Sequence, residues 1–297
     1  MKKRHLLSTL ALGSAAALAL AGCAGTGSDG DGEAASKEVT IGVFNGWPEG
    51  EAVSYLWKLI LEDKGYTVDL EYADAGPVFQ GVAGGDYDFA LDGWLPLTHA
   101  AYFEQFGDDI VDLGSWNDDA KLTVAVNADA PIDSLEELAG AADQFDNRLI
   151  GIEPGAGLTA ATQNEVIPTY GLDGMDFITS STPAMLAELD SKLDAGENVA
   201  VTLWRPHWAY DAYDIKDLAD PEGTLGAAES IHTFARSGFE TDHPEVNEWL
   251  SEFRMDSEAL FSLENVMYNT GEDVTDYTEI VRQWMTENQE WVDTLTA

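Results

Sequence analysis

From Val39 to Pro96 the chain alternates without a break between short β-branched runs and segments with apolar residues at helical spacing. Val39 to Phe44 reads as a strand ending at the turn Asn45-Gly46-Trp47-Pro48. Glu51 to Lys64 then places Val53, Leu56, Trp57, Ile60 and Leu61 on one helical face. Thr67 to Tyr72 is a second strand, Val78 to Ala83 a short helix, and Asp88 to Asp92 a third strand that empties into Gly93-Trp94-Leu95-Pro96. A β-α-β-α-β order predicts a mostly parallel sheet covered by helices, because consecutive parallel strands need a crossover between them.

A second series of the same kind begins near Lys121. Leu122 to Val126 reads as a strand, and Ser134 with Glu137 three residues on has the form of a capping box. Leu149 to Ile152 is a strand followed by Gly155-Ala156-Gly157 and a helix to about Val166. Strand Phe177 to Thr179, helix Pro183 to Ala195 and strand Val199 to Leu203 follow, and Glu245 to Val292 is mainly helical. The simplest architecture is two α/β lobes joined by crossing strands, with the late helices returning to the first lobe. The boundaries expected are residues 38–120 plus 228–297 for lobe 1 and 121–227 for lobe 2.

The start of the chain is of a different kind. Met1-Lys2-Lys3-Arg4 is a basic stretch before the apolar run Leu6 to Ala21, too short and wrongly flanked for a spanning helix, so residues 1–22 read as a signal peptide. The run ends in Leu20-Ala21-Gly22-Cys23, which matches the lipobox of bacterial lipoproteins and makes Cys23 the expected lipidation site. Cys23 is the only cysteine, so an intrachain disulfide is excluded. Residues 23–37 are Gly, Ser, Ala, Asp and Glu for the most part and are expected to be a flexible tether. The expected location is the outer face of the cytoplasmic membrane. The formal net charge is −41, with the acids scattered rather than in blocks. Nucleic acid is a poor partner for such a surface. Adaptation to high salt produces the same composition.

Trp47, Trp94, Gly155 and Trp204 all fall just past predicted strands, where open α/β sheets bind ligands. Trp204-Arg205-Pro206-His207-Trp208 gathers two indoles, a cation and an imidazole into five residues. Aromatic faces suit a trimethylammonium group, which has no N–H to donate; each contributes about 0.5–2 kcal/mol according to desolvation. A ligand carboxylate would need donors. Backbone N–H groups at Gly155-Ala156-Gly157, opening a helix, are candidates, as are His207 and Arg205.

Asn45-Gly46-Trp47-Pro48-Glu49, Gly93-Trp94-Leu95-Pro96, Gly151-Ile152-Glu153-Pro154-Gly155-Ala156-Gly157 and Trp204-Arg205-Pro206-His207-Trp208 together resemble the glycine betaine and choline substrate-binding proteins of ABC importers. Gly65-Tyr66-Thr67-Val68 and Ile231-His232-Thr233-Phe234-Ala235-Arg236 are similar too. The resemblance spans about residues 38–270. It implies an α/β, two-lobed periplasmic-binding-protein clamshell, type II-like, with ligand in the interlobe cleft. It also implies a tryptophan cage and delivery of an osmoprotectant to a membrane permease driven by an ATPase. Trp94 matches a cage position across the family, Trp47 and Trp204 match the choline-type members, and Trp208 a betaine-type one. Glu49 stands where choline-type members place an acid, and Met255 stands where betaine-type members carry a late tryptophan. Glycine betaine is the first expectation, with choline, carnitine or proline betaine as alternatives. A monomer with no cofactor and no metal is expected.

Packing roles compete with these readings. Trp57, Trp249 and Trp284 are expected in the core, and His99, His232 and His243, which lack metal-ligand spacing, are read as structural. Gly155-Ala156-Gly157-Leu158-Thr159-Ala160 fits the dinucleotide pattern G-x-G-x-x-A, with Asp176 about the right distance on, and is the one argument for an enzyme. Against it, Glu153-Pro154 separates strand from glycines, and Asp176 precedes the next strand instead of ending it.

Overall fold

The computed structural model describes residues 37–270 and 274–297. The expected signal peptide, Cys23 and nearly all of the tether lie outside the described residues. Among the described residues nine strands, β1 Glu38–Phe44, β2 Thr67–Ala73, β3 Phe89–Leu95, β4 Ile110–Asn127, β5 Arg148–Ile150, β6 Asp176–Ile178, β7 Ala200–Arg205, β8 Ile215–Asp217 and β9 Glu229–Arg236, form one hydrogen-bonded sheet. Eight of them follow the order β2-β1-β3-β9-β4-β7-β5-β6, and β8 pairs with β4 off that path.

The alternation at the start of the chain is built as the periodicity dictates. β1 buries Val39, Ile41, Val43 and Phe44. It pairs in parallel with β2 and β3, and the crossovers are helices α1 (Pro48–Asp63) and α2 (Ala75–Gly84). Pro48 opens α1, where its missing N–H costs no hydrogen bond. Leu56, Trp57, Leu59 and Leu61 of α1 are wholly buried, because the sheet covers one side and the late helices Ser257–Tyr268 and Thr278–Glu287 cover another. Of the other two tryptophans expected in the core, Trp284 is buried, whereas Trp249 is half-buried with the Lys64 ammonium 5.4 Å over its ring.

The sheet is mixed rather than mostly parallel. β9 runs antiparallel to both β3 and β4, and β4 antiparallel to β7 and β8. β4 is also far longer than the run Leu122 to Val126. It spans 18 residues, and along it the partner changes. Ala120 still pairs with Glu229 of β9, whereas Lys121 pairs with Arg205 of β7. The expected capping box at Ser134 and Glu137 forms. The helix after Gly157 continues past Val166 to Tyr170, with a π-turn over Thr162–Val166. Among the described residues, no helix is long and apolar enough to cross a membrane.

Candidate functional site

Trp47, Trp94 and Trp204 converge on one small cavity, whose wall also includes Glu49, Thr98, His99, Leu122, Ile152, Ala156 and Leu158. Each indole is fixed by its neighbours. Trp47, at the start of α1, meets Phe44 edge-on with centroids 5.0 Å apart and lies parallel to His99 at 5.6 Å. Its Nε1–H donates to Glu153 Oε2 at 3.3 Å. Trp94, near the end of β3, donates its Nε1–H to Asp92 Oδ1 at 2.8 Å. Trp204, on β7, is tilted against Trp47 at 6.1 Å and meets His207 edge-on at 4.8 Å. Its own Nε1–H is buried without a partner.

His99 joins this wall, which its expected structural role did not foresee. Its Nδ1 accepts the backbone N–H of Trp94 at 2.9 Å, and burial pushes its pKa down to about 3. A neutral ring accepting at Nδ1 carries its proton on Nε2, and Nε2 is buried with no partner. Behind it, Phe79 stacks on Phe234 at 4.4 Å and on Tyr102 at 4.7 Å, an aromatic floor that fixes the ring.

Glu49 is fully buried and neither of its carboxylate oxygens has a hydrogen-bond partner. Burial first, then the carboxyl groups of Asp92 and Glu264, hold its pKa well above the usual carboxylate range. The Trp204 indole N–H partly offsets this without reaching hydrogen-bond geometry. Gly50 makes room for the arrangement, since a Cβ there would lie 2.5 Å from Asp92 Oδ2.

Of the other sequence-derived candidates, Ala156 alone is on the wall. His207 is buried behind Trp204, with its Nδ1 accepting the Ala209 N–H at 3.0 Å. Trp208 stacks on Tyr268 at 6.1 Å, one layer further back. Gly155 turns its carbonyl to the Tyr102 hydroxyl at 3.1 Å. Ala156 lines the cavity, but its N–H is taken by the Glu153 carbonyl at 3.1 Å. Gly157 lines a neighbouring open cleft, where a Cβ would meet the Thr98 carbonyl oxygen at 2.5 Å. The Arg205 guanidinium is engaged elsewhere, paired with Asp217 at 3.0 Å and 3.4 Å from the centroid of the Tyr210 ring. Met255 is buried away from the cavity, donating its N–H to the Trp116 carbonyl.

Glu153 was not singled out by the sequence. Its carboxylate accepts from the Thr182 backbone at 2.7 Å and the Thr182 hydroxyl at 3.0 Å as well as from Trp47. Among the described residues, no His, Cys, Asp and Glu cluster has metal-binding geometry.

The family model for the substrate-binding domain of ABC-type glycine betaine transport systems, OpuAC, matches residues 37–287. The chain belongs to this family. Its members are transport binding proteins, not enzymes, and the dinucleotide reading falls with that. A glycine betaine/carnitine transport binding protein of Listeria monocytogenes, GbuC, is 34% identical over 170 residues, 55% of this chain and 54% of that protein. The chain thus aligns with about half the length of that relative. Among solved structures, lactococcal OpuAC, closed and complexed with glycine betaine, is similar at a TM-score of 0.81 and 28% identity, covering 88% of this chain and 100% of that one. The Borrelia burgdorferi glycine betaine/L-proline-binding protein ProX gives 0.80 and 30%, covering 88% and 97%. The fold is therefore the two-lobed substrate-binding clamshell, as the resemblance implied.

Proposed function

We propose that this chain is the extracytoplasmic receptor of an ABC importer and binds a quaternary ammonium compatible solute, glycine betaine first, for delivery to a membrane permease. One observation carries the reading: three indoles on three separate elements enclose a cavity whose wall includes no lysine or arginine. At about 0.5–2 kcal/mol per face, three indoles supply roughly half of the about 8 kcal/mol that micromolar binding requires. The unpartnered Nε1–H of Trp204 and Nε2–H of His99 are the donors we assign to a ligand carboxylate. His207 and Trp208 then support the cage from behind, and Gly155, Ala156 and Gly157 shape its far side.

The lobes are assigned to residues 38–120 plus 228–297 and to residues 121–227, supported by the change of partner along β4 between Ala120 and Lys121. Trp47 and Trp94 belong to the first and Trp204 to the second, so a cation held between them stabilises closure. Tethering through lipidated Cys23 follows from the sequence at the start of the chain. Choline is the second reading, favoured by Glu49 on the cavity wall.

Tryptophan fluorescence titrations with glycine betaine and with choline test the assignment. Saturable micromolar binding of betaine, with choline much weaker, is the expected result. The reverse preference makes this a choline receptor, and silence from both removes the cage.

A further inference from the structure

Glu49, on the cavity wall, meets two further carboxyl groups from distant parts of the chain in one buried place. Glu49 sits in the first turn of α1, Asp92 lies midway along the buried stretch of β3, and Glu264 projects from the helix Ser257–Tyr268. Glu49 and Glu264 are 0% exposed and Asp92 2%. Both oxygens of Glu49, both of Glu264 and Oδ2 of Asp92 lack hydrogen-bond partners. Among the described residues, no lysine or arginine forms an ion pair with any of them. The other polar and titratable groups facing them are Asp211 beside Glu264, Tyr268 with its partner Glu51, the neutral His99, and the indoles of Trp94 and Trp204. None of these is cationic.

We infer that Glu49, Asp92 and Glu264 form a proton-sharing group, and that this group, not Glu49 alone, sets which quaternary ammonium ligand the cage prefers. The inference rests on the receptor reading above. Three buried carboxylates without a counter-ion cannot all ionise, so protons are retained among them. Burial, opposed by the Trp94 indole, pushes Asp92 up to about 7. Burial, together with Asp92 and Asp211 and opposed by the Trp208 backbone, pushes Glu264 up to about 8.

A cationic alcohol seated beside Glu49 supplies the missing positive charge and drives a proton out of the group. Its affinity therefore rises with pH. A zwitterion brings a carboxylate of its own, which a protonated Glu49 can meet as an O–H donor. Its affinity therefore stays level or falls as pH rises. Asp92 and Glu264 are positioning residues in this scheme, acting through Glu49.

The test is calorimetric titration of the full chain with choline and with glycine betaine, from pH 6 to 9, in phosphate and in Tris. Choline binding is expected to release protons, seen as a buffer-dependent heat, and to tighten by up to about tenfold per pH unit for one proton released. Betaine binding is expected to release none. Glu264→Gln should move the choline profile toward lower pH, whereas a merely structural role would weaken both ligands equally at every pH. Buffer-independent heats and flat profiles for every ligand that binds overturn the inference and leave the cage standing. Failure of both ligands to bind overturns the receptor reading on which it rests. The wild-type heats decide the matter even if the variant does not fold.

Discussion

Trp47 Nε1 donates to Glu153 Oε2, so one wall of the cavity is held by a carboxylate 106 positions away in the chain. The same carboxylate fixes the start of the helix Thr182–Ala195 through both the backbone N–H and the hydroxyl of Thr182. Glu153 thus ties the start of the helix Thr182–Ala195 to the indole at the start of α1, and ligand binding should feel its loss. Glu153→Ala is expected to weaken betaine about tenfold, close to the about 1.5 kcal/mol of one hydrogen bond to a charged group. Titration calorimetry of the variant checks this, and an unchanged affinity would show that Trp47 holds its place without the bond.

Trp94→Ala removes an indole face and also leaves Asp92 Oδ1 without its donor. The affinity for any quaternary ammonium ligand should fall more than tenfold. Trp94→Phe keeps a weaker face and loses the same bond, so it should fall between. Equal affinities for all three proteins would sink the cage.

His99→Phe preserves the stack on Trp47 while deleting both the Nε2–H donor and the Nδ1 acceptor of the Trp94 N–H. A cost of about 1–3 kcal/mol is expected for betaine and less for choline, which has no carboxylate to satisfy. Competition between the two ligands reads the difference directly. A uniform loss would return His99 to a packing role.

Glu49→Gln should weaken choline and leave betaine nearly unchanged, because only the first needs a negative charge nearby. Arg205→Ala is the control. With its guanidinium committed to Asp217 and Tyr210, affinity should stay within about twofold, in keeping with the small worth of a partly exposed ion pair.

Stability should depend on pH in a definite order. Asp92 and Glu264 have folded pKa values raised above the ordinary carboxylate range, so the folded state holds more protons and stability falls as pH rises from about 4 toward 8. His99 and His207 are depressed to about 3 by burial, so stability rises as pH climbs from there to about 6.5. The opposing slopes cancel between about pH 4 and 6.5, and the carboxyl slope stands alone above it. A ligand-free melting temperature that declines from pH 6.5 to 8.5, and declines less in Glu264→Gln, is the expected outcome. A rise over that interval would contradict it.

Local pattern made the chain up to Trp94 readable. Strands and helices up to Trp94 each carry their own period, and β1, α1, β2, α2 and β3 appear close to where the period puts them. β4 was hidden over residues 110–121. Asp112, Asn117, Asp118 and Asp119 interrupt the apolar alternation, and the pairing with β9 slips at Gly114, Asn117 and Ala120. Trp47, Trp94 and Trp204 were legible because residue type and position at the C-terminal end of a strand agree, although Trp94 and Trp204 are the next-to-last residues of β3 and β7 rather than past them. The donor on His99 was not, since its free nitrogen is set by a backbone N–H five residues before it. Glu264 did leave a trace in the sequence. It lies four residues after Leu260 and three before Met267, a carboxylate on the buried face of an otherwise apolar stripe. That anomaly says the residue is buried, but only tertiary packing brings it to Glu49.

The strand β4 gives its first half to β9 and its second to β7 and β8. The two halves of the sheet are thus built on one unbroken strand, with the change of partner falling between adjacent residues Ala120 and Lys121. Heating should therefore melt the two lobes together, in one calorimetric transition whose van't Hoff and measured enthalpies agree. A solute seated against any one of the three indoles would then raise the melting point of the whole chain, including the helices that never touch it.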